Sequence, residues 1–187
     1  MTFGSIYPLP GTAIGYAAVA AGSQQIEFTK GLNTLDSTVL ATFHETLQPN
    51  TYYTFMVTDS VNSNRDSSRI FIKDSLLPVT QGFFNLRFVN AALNDTAGVD
   101  IWSSRNNRTI FTNVKPGGII GFSSFASNWA LSDTLFARRA GTSIGLDTLN
   151  TQTFYNLRTY TLVYKGNALS NAKTNPKRRH LIAYVNQ

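Results

Sequence analysis

The chain has 187 residues, of which 42% are hydrophobic, 12% aromatic and only 14% charged, and it contains no cysteine. The lack of cysteine excludes a disulfide framework, a thiolate metal site and a cysteine nucleophile. No stretch of about 18 apolar residues is present to form a membrane-spanning helix, and the start, MTFGSIYPLPGT, lacks the basic and apolar regions of a signal peptide. For an exported protein, the signal is therefore expected upstream of Met1.

The net charge of +6 is unevenly distributed along the chain. Through Gln81, four basic residues stand against six acidic ones, whereas from Gly82 onward twelve basic residues stand against four acidic ones. The densest basic cluster, KTNPKRR at residues 173–179, has two interpretations: an anion-binding loop or a solvated hairpin loop that turns at Asn175 and Pro176. We favour the solvated loop and predict no nucleic-acid partner, because a nucleic-acid site usually covers a face and interleaves aromatic residues.

Runs rich in β-branched and aromatic residues follow one another along the whole chain, separated by Gly, Asn, Asp and Pro, and none shows helical periodicity. Strands are therefore expected at residues 14–19, 24–30, 38–47, 52–59, 68–73, 109–114, 119–125, 134–139, 143–151, 159–164 and 179–185. This pattern predicts an all-β protein made of two tandem Ig-like or transthyretin-like β-sandwich units. Residues 1–78 form a partial first unit, and residues 79–187 form a complete second unit.

The stretch at residues 82–102, GFFNLRFVNAALNDTAGVDIW, is the start of the second unit. Alternating residues from Phe84 to Asn90 lead into a polar turn at residues 94–96, which is followed by a second apolar run that ends at Trp102. Two such runs joined by a turn are typical of a β-hairpin. The sequence therefore predicts that this stretch is the first hairpin of the second unit.

The two halves of the sequence can be aligned as an internal repeat. The segment that begins Ile14-Gly15-Tyr16 matches the one that begins at Ile120, and the Tyr-Thr run at Tyr53 matches the one at Tyr160. In this alignment Leu47 falls on Phe154, and residues 69–74 fall on residues 179–184. The first copy has no counterpart of residues 82–102, so we expect it to lack two N-terminal strands and to expose unpaired strand edges.

The second unit also resembles a known bacterial family. The pattern LRFVNAALNDTAGVDIW, followed by a PGGIIGF strand and a YTLVYKG strand, resembles the domain of unknown function 4397 (DUF4397). Asn90, Ala91, Val99, Asp100 and Ile101 occupy the family's motif positions, and the first unit matches only its later part. The resemblance implies an exported, often lipid-anchored β-sandwich of the kind found on Bacteroidetes cell surfaces, with an anchor upstream of this chain, and it implies no activity.

Candidate catalytic residues are few. Residues 141–145, Gly-Thr-Ser-Ile-Gly, fit the nucleophile-elbow pattern around Ser143, and Asp147 and His180 follow in the order of a triad. However, a strand-like run follows this motif where an elbow needs a helix, so a turn between strands is the favoured interpretation. His44 and His180 lie in strand-like runs without the spacing of metal ligands, and no pair of carboxylates suggests a glycosidase. We predict that the protein is not an enzyme and has no cofactor and no metal site.

Asp95 and Asp100 flank the polar turn of the predicted first hairpin. Their oxygen atoms, together with that of Asn94, are ligands of the type that calcium prefers. Asx side chains that cap a turn explain the same residues, and we favour that interpretation.

Trp129 is the candidate ligand-binding residue. It lies in the segment SFASNWALSD, a predicted loop in which an apolar ring has no strand to pack on. Sugar rings stack on exposed aromatic faces, and the neighbouring Asn128 and Ser127 have side chains that bind hydroxyl groups. The other interpretation, which we favour for this ring, is that Trp129 folds back as a plug over one end of the β-sandwich or over a seam between the units. Trp102, Tyr52 and Tyr53 are expected to pack within strands.

These features predict a non-enzymatic module for binding or adhesion at the cell surface or in the periplasm. The candidate partners are glycans, at Trp129 and Asn128, or another surface protein. The alternative function is a structural subunit of a surface assembly, in which a partner's strand completes the first unit by β-augmentation.

Overall fold

The computed structural model describes residues 16–29, 39–58, 69–127, 129–167 and 178–186, and these residues form strands and turns without any helix. The prediction of an all-β protein is therefore confirmed. The strands are β1 (Gly22–Thr29), β2 (Val39–Leu47), β3 (Tyr52–Val57), β4 (Arg69–Asp74), β5 (Phe83–Asn90), β6 (Val99–Ser103), β7 (Arg108–Val114), β8 (Ile119–Ala126), β9 (Ala130–Arg139), β10 (Gly145–Tyr155), β11 (Thr159–Lys165) and β12 (His180–Val185).

The chain divides into two compact units, Met1–Asp74 and Ser75–Gln187. In the first unit, β1 pairs with β2 and β3 pairs with β4, both antiparallel. Phe43 on β2 packs edge-on against Phe55 on β3, with ring centroids 5.1 Å apart, and Phe55 packs against Phe71 on β4. Aromatic rings thus join the two hairpins of the first unit into one small core.

The strand predicted at residues 14–19 is not observed. Residues 14 and 15 lie outside the described residues, and residues 16–19 are irregular, with the side chains of residues 17–19 exposed. Residues 16–19 read YAAV, and alanine is depleted in strands because it offers little side chain to pack on a pleated surface. The alanine side chains of this segment are too small to stabilise a strand that pairs with no other strand among the described residues.

The second unit contains two four-stranded sheets, with the orders β10-β9-β6-β7 and β12-β11-β5-β8. All neighbours are antiparallel except β5 and β11, which run parallel. Large apolar side chains from both sheets form one core, to which each strand except β8 contributes a fully buried residue. Phe84 on β5, for example, stacks on Phe154 on β10 with ring centroids 4.8 Å apart.

The predicted first hairpin at residues 82–102 is wrong. β5 pairs with β8 and β11, whereas β6 pairs with β7 and β9 in the other sheet. The chain leaves the first sheet at Asn90, whose side chain donates to the backbone oxygen of Val114 and accepts from the N–H of Ala92. The connecting loop therefore crosses between sheets, and the polar turn signal in the sequence marks this crossing and not a hairpin.

The two units share a tyrosine corner, in which a tyrosine hydroxyl bonds to the backbone a few residues upstream. In the first unit, the N–H of Gln48 donates to the hydroxyl of Tyr53 over 2.9 Å, and in the second the N–H of Tyr155 donates to that of Tyr160 over the same distance. Between these partners, Asn50 and Leu157 both adopt positive φ, 54° and 57°. Each corner thus turns the chain from one strand into the next in the same way.

The registers of the last strands correct one part of the sequence alignment. Asp74 lies opposite Tyr52 on β3, and the N–H of Asn186 donates to the backbone oxygen of Thr159 on β11. Asp74 therefore corresponds to Asn186, and residues 69–74 fall two positions later than the alignment with residues 179–184 had them. The side chains agree, because Thr54 donates to Asp74 over 2.7 Å and Thr161 donates to Asn186 over 2.6 Å.

Candidate functional site

Three segments of the second unit meet at one end of its two sheets. The N–H of Ser127 donates to the oxygen of Gly82, that of Leu157 to the oxygen of Phe83, and that of Asn156 to the oxygen of Trp129, all within 2.9 Å. These bonds tie the start of β5, the β8–β9 connection and the β10–β11 turn together. The sheets therefore bring residues that are far apart in sequence to the same surface.

This surface carries four exposed apolar side chains, which we call the aromatic end: Phe83, Trp129, Tyr155 and Leu157. They are 41%, 72%, 50% and 43% exposed, respectively. Single exposed apolar residues are common on proteins, whereas several on adjoining segments are typical of an interaction site. The aromatic end is thus the clearest candidate site among the described residues of the second unit.

Of the three residues that the sequence predicts to bind a ligand, the structure describes Trp129 and Ser127. Trp129 is the most exposed of the large apolar side chains described, so the favoured interpretation, that it folds back over the end of the unit, is wrong. Asn128 lies outside the described residues. Ser127 is buried, and its hydroxyl faces the backbone oxygen of Phe154 at 3.3 Å, so the expectation that it bonds to a ligand is wrong.

Phe83, Tyr155 and Leu157 were missed as site residues. Tyr155 and Phe83 each stand beside a buried aromatic, Phe154 and Phe84, and alternation along a strand sends neighbours to opposite faces. The side chains of Tyr155 and Phe83 therefore face away from the core. Their proximity to Trp129 depends on the pairing of strands, which the sequence does not show.

Arg158 adds a positive charge beside this surface. It follows Leu157 in the β10–β11 turn and is exposed. Burial raises the pKa of Tyr160, whereas the N–H of Tyr155 and the charge of Arg158 both act to lower it. The guanidinium group therefore lies close enough to the corner to influence its hydroxyl electrostatically.

A shallow cleft of about 270 Å³ opens on the sheet β10-β9-β6-β7, lined by Ser104, Arg105, Ser132, Asp133, Thr134 and Thr151. The carboxylate of Asp133 accepts from the hydroxyl of Ser103 and, over 2.9 Å, from the N–H of Arg105. Both carboxylate oxygens are thereby used inside the protein. The cleft presents hydroxyl groups and one guanidinium group to a ligand.

The nucleophile-elbow pattern at residues 141–145 lies in the turn between β9 and β10, as the favoured interpretation predicted. Thr142 donates to the backbone oxygen of Arg139 and accepts from the N–H of Ile144, which closes the turn. A strand follows and not the helix that an elbow requires. The geometry around Ser143 is thus that of a hairpin turn.

The two histidines lie in different surroundings on their strands. His44 is exposed on β2, while His180 lies 3.1 Å from Asp147, which also pairs with Arg178. No group of three potential metal-binding side chains occurs within the described ranges.

Asp95 and Asp100 neither meet at a calcium site nor cap their own turn. Asp95 forms an ion pair with Arg179 at 2.9 Å, and Asp100 accepts from the N–H groups of Asn113 and Gly141. The favoured interpretation as local caps is therefore wrong, because both carboxylates bind groups distant in sequence. Arg178 and Arg179, the described part of the basic cluster at residues 173–179, are used in ion pairs.

Comparison with known proteins gives one positive result. The model of a family described as a domain of unknown function (DUF4397) matches residues 9–102, half of the chain. The match extends from the first unit into β6 of the second, whereas the sequence resemblance was drawn mainly on the second unit. No curated protein matches the chain. None of the described residues belongs to a helix long and apolar enough to span a membrane.

Proposed function

This chain belongs to the DUF4397 family, and on that premise we propose that it is a non-enzymatic binding module of the cell surface or periplasm whose ligand is a glycan. The observation that carries the proposal is the aromatic end, where Trp129 stands 72% exposed beside three further exposed apolar side chains. A ring that is already largely exposed offers a sugar ring a stacking surface with little cost of rearrangement.

We further propose that the two units are tandem Ig-like β-sandwiches. The shared tyrosine corner and the single core between the two four-stranded sheets of the second unit support this assignment. In such folds the loops gather at the two ends of the sheets, where binding surfaces form on a rigid scaffold. The aromatic end is a surface of this type.

The test is binding of the full chain to a panel of oligosaccharides, followed by affinity measurements for Trp129→Ala. We expect at least a tenfold loss of affinity, about 1.4 kcal/mol, with unchanged folding. The matched control is Ile144→Ala, which removes another exposed apolar side chain, in the β9–β10 turn at the other end of β9. Binding to no member of the panel, or equal losses in both variants, would count against the proposal.

The second candidate function is a structural subunit in which a partner's strand completes the first unit. In the first unit, the described sheets have two strands each, and β3 is only half-buried, whereas its counterpart β11 is buried at six of seven positions. Isolated two-stranded sheets are marginally stable, so additional pairing would stabilise this unit. The exposed edge strand β8 of the second unit, which has no charged residue, offers a further pairing edge.

Light scattering distinguishes these edges. A lysine on a strand edge opposes pairing with another chain, so Tyr52→Lys should reduce the solution mass of an assembly formed through β3, and Ile120→Lys that of one formed through β8. Ile144→Lys is the control, because it adds the same charge in a turn. A monomeric wild-type chain at all concentrations would remove support from this candidate.

A further inference from the structure

The acidic side chains of the second unit are all used within the protein. From Ser75 to Gln187 there are four acidic residues, all aspartates and all described. Asp95 and Asp147 form ion pairs with arginines, and Asp100 and Asp133 accept hydrogen bonds from backbone N–H groups. None of these four side chains is exposed. A ligand approaching its described surface therefore meets no exposed carboxylate.

Basic side chains, in contrast, remain exposed near the aromatic end. Arg158 adjoins Leu157, and Arg105 lines the cleft on the sheet β10-β9-β6-β7. Within the described residues, neither guanidinium group forms an ion pair. Arg139 is also exposed, but it pairs with Val99 at the opposite end of β9. The charge near the aromatic end is thus positive and uncompensated.

The outer face of β9 connects the aromatic end to the cleft. Ser132 and Thr134 face outward between the buried Leu131, Asp133 and Leu135. The hydroxyl of Ser132 lies 3.3 Å from that of Thr153 on β10, and the N–H of Ser104 donates to the oxygen of Thr134. At about 3.3 Å per residue, five residues from Trp129 to Thr134 span roughly 17 Å. This row of hydroxyl groups fits an extended chain better than a single sugar.

We propose that the ligand is an acidic polysaccharide, a polymer rich in uronic acid, that stacks on Trp129 and runs along β9 with its carboxylates at Arg158 and Arg105. This inference rests on the proposed function and specifies its ligand. Guanidinium groups bind carboxylates through paired, charge-assisted hydrogen bonds, and a surface without exposed acids does not repel such a polymer. The hydroxyl groups of Ser132 and Thr134 bond to the sugar hydroxyls between the charged positions.

The experiment compares an oligogalacturonide with its fully methyl-esterified form, which keeps the chain and removes the charge. We expect the 187-residue chain to bind the acid form at least tenfold more tightly at low salt, with the difference shrinking as ionic strength rises. Arg105→Gln and Arg158→Gln should each reduce this preference several-fold. Arg139→Gln is the matched control, since it removes the same charge at the opposite end of the strand.

The outcomes separate this inference from the proposed function. If a neutral glycan binds in a Trp129-dependent manner and the acid form has no advantage, the ligand class is wrong while the proposed function stands. If no glycan binds, both are overturned. If an oligodeoxythymidylate of equal charge binds as tightly as the oligogalacturonide, the surface recognises charge alone, and the assignment to a polysaccharide is rejected.

Discussion

The two tyrosine corners are the same hydrogen bond in two different environments. At Tyr160 the corner lies against a core drawn from two four-stranded sheets, and the ring packs edge-on against Phe154 and Phe84. At Tyr53 the bond to Gln48 is exposed, and the ring stacks on Phe71 in a unit with two described strands in each sheet. The corner therefore determines the local course of the chain, whereas the surrounding sheets determine how much the corner hydrogen bond contributes to stability.

The chain offers separate reporters for the two units. Both tryptophans, Trp102 and Trp129, lie in the second unit, and Trp102 packs against Phe136 and under Arg138. Met56 lies on β3 of the first unit. Tryptophan fluorescence therefore follows unfolding of the second unit, and the NMR signal of the Met56 methyl group follows unfolding of the first.

The largest expected difference in stability between the two units comes from substitutions of Phe154 and Leu47, the residues that precede the corners. Phe154→Ala should lower the free energy of unfolding of the second unit by about 3–5 kcal/mol, because it removes a fully buried ring between two aromatic neighbours. Leu47→Ala should cost the first unit about 2–3 kcal/mol, since a smaller core collapses more easily onto the cavity. Denaturant titrations with the two reporters measure both values. A larger cost at Leu47 would contradict the view that the second unit has the better packed core.

We expect the two corner hydrogen bonds to differ less in their contributions to the free energy of unfolding. Tyr160→Phe keeps the ring and leaves the N–H of Tyr155 without its partner, at a cost of about 1–3 kcal/mol because the bond is partly buried. Tyr53→Phe should cost about 0.5–1 kcal/mol, because water reaches the N–H of Gln48. The same titrations apply. Equal costs would show that burial around the corner does not determine its contribution.

Substitutions at Asn50 and Leu157 test how much a leucine with positive φ costs in stability. Leucine pays a cost of about 1–2 kcal/mol in the left-handed region that asparagine largely avoids. Leu157→Asn should therefore stabilise the second unit by about 0.5–1 kcal/mol, and Asn50→Leu should destabilise the first by a similar amount. Thermal unfolding with both reporters gives the two signs. The idea fails if Leu157→Asn destabilises, which would mean that its side chain contributes packing at the aromatic end.

The last expected effect appears only at high pH. Burial raises the pKa of Tyr184 on β12 to about 12, whereas the register places Ile72, which cannot ionise, at the corresponding position of the first unit. In the unfolded chain a tyrosine ionises near pH 10, so this contribution to stability is complete below about pH 10 and is lost as the pH rises towards 12. Wild type should lose stability over this window relative to Tyr184→Phe. Parallel pH profiles of the two proteins would contradict the assignment.

Much of the strand content could be predicted from the sequence. Alternation of β-branched and aromatic residues marked β1 to β4 and all of the later strands except β6, whose position was given only by the apolar run that ends at Trp102. It failed at residues 16–19, where small residues carry an alternating pattern that no described strand supports. The exposure of Trp129 was not predicted, because a large ring in a polar loop can equally fold back over the end of the unit, and only the tertiary structure shows that it is 72% exposed.

The assignment of β5 and β6 to different sheets could not be predicted in this way. A polar turn between two apolar runs has the same local signature whether the chain folds back in one sheet or crosses to the other. Asn90 decides between them through its bonds to Val114 and Ala92, and Val114 is far away in sequence. The partners of Asp95 and Asp100 could not be predicted for the same reason, since Arg179 and Gly141 are even more distant from them in sequence.

By itself the sequence determined the β character of the chain, the correspondence of the Tyr-Thr runs at Tyr53 and Tyr160, and the excess of positive charge after Gly82, because these follow from residue types and local patterns. Only the tertiary structure decided which strands share a sheet, which side chains meet at the aromatic end, and that all four aspartates of the second unit are turned to internal partners. Strand pairing joins residues that are distant in sequence, and its register follows from packing over the whole core, so no local pattern carries that information.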